Sequence, residues 1–414
     1  MPDPGVRHVR IAPPPRSSRP ARRALAALAV CALLGAGSPA AARTAPGGET
    51  KTVTYRGHTF TVPADWQIVD LKKNPTACVR FDRHAVYLGE PGEQQDCPAR
   101  AVGRTEALWV RPAAATKASV TEDRTSRVFR ATATDEGIEI TAPYREDRAT
   151  VQRVLESAGL PVASARAEQP GDIPSALSVP ADATAHRGKG FDTCSAPSQT
   201  AMNAWRDGSP YRAVGIYIGG INRACAQVRL TPEWVRTQYT NGWRLFPLYV
   251  GPQPTVGAGS CQNDCAAITD PVPQGRAAAE DAVARAAALG LGKGSVLYNN
   301  VEQYTRGGAL TTRVLGYLEA WTERLHELGY RSGAYGSVSS LVLDLVDNAA
   351  RTTLPDVIFF AHWNGEATTD HPSLPAAMWA KQQRIHQYAG NKTETYKGVT
   401  INIDRDQLDV GTGV

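Results

Sequence analysis

Residues 295–304, SVLYNNVEQY, read as a buried strand that ends in polar residues. On a strand, Val296, Tyr298, Asn300 and Glu302 project from one face. A carboxyl at such a tip can act as a general acid. Two carboxyls spaced two residues apart would form a glycosidase pattern. Here the first of the two positions is an amide, Asn300. Two further acids end short apolar runs. Asp192 follows Phe191, and Asp404 shares parity with Thr400 and Asn402 while Val399, Ile401 and Ile403 form the other face. Comparable strand ends carry Tyr217, Tyr249, Tyr298 and Tyr335, then His362 or Trp363, and Gln387 or Tyr388. Carboxyls surrounded by aromatic rings suit carbohydrate. One carboxyl protonates the leaving oxygen, and another stabilises the oxocarbenium-like state or activates water. Catalytic roles are therefore expected at Glu302, Asp192 and Asp404. Substrate binding is expected at Asn300, Tyr217, Tyr249, Tyr298, Tyr335, Trp363 and Gln387.

The elements that would position these groups begin at residue 187. KGFDT, AVGIYIG, RLFPLYVG, SVLYNN, YRSGAYG, DVIFFAHW, RIHQYAG and VTINID are candidate strands. Helical stretches lie between most of them, including PAAMWAKQQ, and the seventh connection shows no clear helix. Several helices begin after Ser, Thr or Pro and end at Gly. The fold class expected is α/β, a (β/α)8 TIM-like barrel preceded by a small α+β domain. Its chemistry would sit at the C-terminal strand ends. Closure would make the first and eighth strands neighbours, bringing Asp192 and Asp404 together with Glu302 across the mouth. An open doubly wound sheet would carry a glycine-rich phosphate loop, and GIYIGGINR is not that fingerprint.

Residues 1–42 have a basic start, an apolar run and small residues before Arg43, the pattern of an export signal peptide. Arg22 and Arg23 admit the twin-arginine route, and the Sec route stays open. The apolar run is too short and alanine-rich for a stable membrane span in the mature form. This leader holds six arginines and one acid, Asp3. Without it, the 45 basic and 40 acidic side chains become equal in number. The net charge of +5 is then no argument for nucleic acid binding. Residues 43–50 form a tether, 51–160 a small α+β accessory domain, 161–186 a linker rich in Pro, Ala and Ser, and 187–414 the barrel. Outside the leader six cysteines remain, an even number that suggests disulfides in an exported chain. Nearest-neighbour pairing joins Cys78 to Cys97, Cys194 to Cys225 and Cys261 to Cys265, one of several connectivities. No metal or cofactor is expected. CQNDC has no second Cys/His pair nearby, and His58 and His84 lack a partner at ligand spacing.

GFDTCSAPS, AVGIYIGG, LFPLYVG, VLYNNVEQY, GYRSGAYGS and INIDRDQLD together resemble the glycoside-hydrolase-like barrel of exported actinobacterial cell-wall proteins, a family long called a domain of unknown function. More distantly they are similar to the family 25 lysozymes. The resemblance spans about residues 187–410. It implies a TIM barrel and a cell-wall or extracellular glycan partner such as peptidoglycan. It maps a first-strand acid to Asp192, an Asp-x-Glu pair to Asn300 and Glu302, and a late-strand acid to Asp404. Glu302 would be the general acid. Asn300 departs from the pattern, because an amide cannot counter an oxocarbenium ion with charge, and it removes a like charge beside Glu302. Loss of one such stabiliser would cost on the order of 10² to 10³ in rate. The expected function is carboxylate acid/base hydrolysis of glycan by a secreted or wall-associated protein. The alternative is a non-catalytic glycan-binding or envelope-organising protein on the same fold.

Overall fold

The computed structural model describes residues 48–413 apart from 115–116, 135–136, 168–173, 255–260 and 262–264. The expected export signal and residues 43–47 of the tether lie outside the described residues. β1 (Thr50–Tyr55) and β2 (His58–Pro63) pair as a hairpin. β3 (Gln67–Asp70), β4 (Ala85–Leu88), β5 (Leu108–Pro112), β6 (Ser119–Asp123), β7 (Val128–Ala133) and β8 (Ile138–Pro143) precede α1 (Arg148–Ser157) and β9 (Arg166–Ala167). They form a seven-stranded sheet in the order β3-β4-β5-β8-β7-β6-β9. Alternation sets its faces: Ile138, Ile140 and Ala142 are buried between less buried Glu139 and Thr141. Asp147 caps α1 by accepting from the Thr150 N–H, and the helix buries Val151, Val154 and Leu155 in the same core.

The second part alternates β10 (His186–Asp192), α2 (Gln199–Gly208), β11 (Ala213–Gly219), α3 (Pro232–Thr240), β12 (Arg244–Tyr249), α4 (Pro271–Ala288), β13 (Val296–Asn300), α5 (Gly308–Glu327), β14 (Arg331–Ser337), α6 (Leu343–Asp347) and β15 (Val357–Ala361). β16 (Gln383–Tyr396) and β17 (Val399–Val410) complete a closed eight-stranded barrel. Strand parity builds two cores. Tyr217, Phe246, Tyr298, Phe359, Ile385 and Leu408 fill the interior, whereas Val214, Ile216, Leu245 and Phe360 pack outward with Trp205, Trp243 and Trp321. The sheet and the barrel belong to one unit, Gly48–Val414.

The expectation of an alternating (β/α)8 barrel is overturned. The barrel is mixed: β10 to β16 run parallel, and β17 runs antiparallel to both neighbours. PAAMWAKQQ forms turns, so no helix joins β15 to β16. β16 and β17 are a hairpin. Lys397 and Gly398 occupy its turn with φ of 50° and 79°, the twist a two-residue hairpin turn requires. A parallel neighbour needs a crossover of a dozen residues or more, and only Lys397 and Gly398 lie between β16 and β17.

Candidate active site

Asp192 ends β10 and is 1% exposed. The Tyr217 hydroxyl donates to its Oδ1 at 2.8 Å, and Gln387 Nε2 donates to its Oδ2 at 2.9 Å. Burial, then the Asp192 charge, holds the Tyr217 phenol far above its ordinary range, so in this pair it donates. Gln387 is itself oriented. Its Oε1 accepts from the Tyr335 hydroxyl at 2.9 Å and from Trp363 Nε1 at 3.0 Å. Thus β10, β11, β14, β15 and β16 converge on one carboxyl. The structure also decides two alternatives. Gln387 faces inward while Tyr388 lies near His386 outside, and Trp363 joins the network while His362 pairs with His371 at 3.0 Å.

Glu302 follows β13 and is 4% exposed. Its Oε1 accepts from Asn300 Nδ2 at 3.0 Å. The tip is clamped by Gln253, which accepts from the Glu302 N–H at 2.9 Å and donates to the Asn300 carbonyl at 2.9 Å. Asn300 therefore orients the expected acid rather than adding charge beside it.

Asp404 lies directly opposite Asp192 across the β10–β17 pair, and Asp406 lies opposite Gly190. Asp404 Oδ1 accepts from the Asn391 N–H at 2.6 Å. Its Oδ2, and both oxygens of fully buried Asp406, have no hydrogen-bond donor among the described residues. Burial pushes Asp404 up to about 6, against the downward pull of the Asn391 N–H and the Arg100 charge. Burial and Asp404 also push Asp192 upward, against its two donors. Asp406 rises well above the carboxylate range through burial and then the charges of Asp192 and Asp404. Three carboxyls so placed cannot all ionise together. Of the three, Asp406 is pushed furthest towards its protonated form.

Two expected contributors sit elsewhere. Tyr249 shares the parity of Leu245, points into the helix layer, and donates to Asp281 at 2.9 Å. Tyr298 fills the barrel below the mouth, wholly buried beside Phe359. Three residues were not anticipated. Asp406 was within reach of a parity argument, two residues after Asp404. Gln253 and Arg100 carried no local signal. Arg100 comes from the loop between β4 and β5, yet its guanidinium lies 4.6 Å from the Trp363 ring centroid. Burial works against its charge, but Tyr335, Glu302 and Asp404 outweigh that and raise it above the arginine range. Arg100, Glu302, Tyr335, Ser337, Ser339 and Trp363 line a groove of about 670 Å³. Among the described residues Trp363 is the only exposed large aromatic, at 47%.

All three disulfides pair nearest neighbours: Cys78–Cys97, Cys194–Cys225 and Cys261–Cys265. The sulfurs of Cys78, Cys97 and Cys225 lie within 4.8 Å of one another. Each is in a disulfide, which leaves no thiolate for a metal there. No helix among the described residues is long and apolar enough to cross a membrane.

Residues 203–408 match the family model described as Rv2525c-like, glycoside hydrolase-like domain. Similar solved structures include an uncharacterized protein of B. stearothermophilus, 18% identical with a TM-score of 0.39 over 53% of this chain and 95% of that one. The Tat-secreted protein Rv2525c of Mycobacterium tuberculosis, solved with L-tartrate, is 16% identical with a TM-score of 0.35, over 54% and 96%. The catalytic domain of endolysin ply40 from a Listeria monocytogenes bacteriophage is 12% identical with a TM-score of 0.31, over 50% and 86%. No curated protein matches. On the strength of the family match, the barrel belongs to the Rv2525c-like glycoside hydrolase-like domains.

Proposed function

We propose that the barrel mouth hydrolyses glycosidic bonds in a cell-wall or extracellular glycan, with peptidoglycan the first candidate. One observation carries this reading: Asp192 and Asp404 pair across β10 and β17, within electrostatic reach of Glu302, which lines a groove with an exposed tryptophan. Glu302, aimed by Asn300 and Gln253, protonates the leaving oxygen. Asp404, with one oxygen free of donors, opposes the oxocarbenium-like charge or takes a proton from water. Asp192 is a held partner whose charge is tuned by Tyr217 and Gln387. Trp363 offers an apolar surface for a sugar ring. Export of the chain is part of this proposal, and three disulfides support an oxidising compartment.

Asn300 favours a second reading, glycan binding without cleavage, because the mouth has one carboxylate fewer than the pattern it resembles. Digestion of purified peptidoglycan, read by mass spectrometry, separates the two. Fragments released by the parent and reduced about 10² to 10⁴-fold in Glu302→Gln support hydrolysis. Fragments from Asn300→Asp alone support a fold retired into binding. No cleavage by either protein, with retained glycan binding, would overturn the hydrolytic reading.

A further inference from the structure

Arg100 lies outside the barrel and outside the residues of the family match. It belongs to segment 98–104, between β4 and β5, which the N-terminal sheet lays against the mouth. The docking is specific along its length. The Cys194 N–H reaches the Pro98 carbonyl at 3.4 Å, and the Gly103 N–H donates to the Asn222 carbonyl at 2.9 Å. The Ala99 N–H donates to Asn402 Oδ1 at 2.7 Å. Val102 pairs with Arg223 and packs on the barrel's inner core. Buried Arg104 donates to the Arg223 carbonyl at 3.0 Å and the Gly220 carbonyl at 3.3 Å. A segment held at so many points places its one protruding guanidinium with little freedom.

That guanidinium stands over Trp363 and beside Glu302. The rest of the groove offers hydroxyls, an indole, an imidazole, the Gln303 amide and one carboxylate, and Arg100 is its only arginine or lysine among the described residues. A sugar packed against the exposed part of Trp363 with its bond turned to Glu302 would bring a ring substituent to Arg100. We propose that Arg100 reads a carboxylate on the glycan, so that the groove selects acidic sugar units over neutral ones. A planar carboxylate matches the paired donors of a guanidinium. This inference rests on the glycan reading above, and it makes the N-terminal sheet a part of the site.

The test measures binding, so it stands apart from turnover. Two tetrasaccharides of N-acetylglucosamine and N-acetylmuramic acid are titrated into the full chain by calorimetry. One has free lactyl carboxylates; in the other these are reduced to alcohols. The parent should bind the charged form about 10- to 100-fold tighter. In Arg100→Gln the ratio of the two affinities should collapse towards one, and Arg100→Lys should keep part of it. A structural role alone would leave the ratio unmoved. A ratio near one in the parent, or an unchanged ratio in Arg100→Gln, overturns the assignment while leaving the glycan reading intact. If neither sugar binds the parent, both fall. Should Arg100→Gln fail to fold, Arg100→Lys decides, since it keeps the charge and loses the planar fork.

Discussion

Asp406 is the least comfortable residue in the barrel. It is fully buried, faces two other acids and has no donor at either oxygen among the described residues. Its raised proton affinity has a definite sign in stability. The folded chain holds a proton that the unfolded chain releases, so stability is greatest below the ordinary aspartate range and falls as pH rises. Asp404 adds to this loss until it ionises near pH 6. Asp406→Asn should therefore stabilise the protein. The gain should grow from about pH 5 upward, by at most about 1.4 kcal/mol per pH unit, the limit for one retained proton. Urea denaturation across that range measures it, and a gain independent of pH would contradict the assignment. Strand parity made Asp192, Asn300, Glu302 and Asp404 legible from sequence, because alternate residues of a barrel strand face the interior. The same rule, applied to Leu245 and Tyr249, would have turned Tyr249 away from the mouth.

Among the elements, β16 shows how a strand shapes the site without supplying an acid. It carries Gln387 inward, and three residues later Gly390 lies against the Trp363 ring. A Cβ at Gly390 would fall 2.1 Å from Trp363 Cζ2 and 2.4 Å from Cε2. The glycine is needed for this close approach. Gly390→Ala should displace the indole and break its bond to Gln387. Glycan affinity should fall by about tenfold, roughly the value of one hydrogen bond with its packing, while far-UV circular dichroism stays unchanged. Unaltered affinity would mean that Trp363 is no platform. The eight strands were visible as apolar runs bounded by turns. The direction of the last is set by the turn before it and not by the apolar run itself. Lys397–Gly398 flanked by TETY and VTIN is the signal of a hairpin.

For the whole molecule, the decisive contacts join residues far apart in the chain, and no local pattern announces them. Ala99 meets Asn402, and Arg104 meets Gly220. The disulfides hold the same junction. Cys78–Cys97 spans 19 residues of the sheet part, Cys194–Cys225 spans 31 at the mouth, and Cys78 Sγ lies 4.0 Å from Cys225 Sγ. Loops of these lengths contribute about 3 kcal/mol each to stability. Partial reduction should free segment 98–104 first, so glycan affinity should be lost at reductant concentrations that leave the barrel's circular dichroism intact. Simultaneous loss of both would show that the junction and the barrel stand or fall together. The antiparallel last strand carries one more consequence. Because His186 pairs with Val410 and Asp192 with Asp404, β17 descends from the mouth to the opposite end. Had it run parallel, the polypeptide would leave beside the carboxyls. As built, a bead, fusion partner or sensor surface coupled after Val410 would hold the protein by its base, with the groove turned towards the bulk solution.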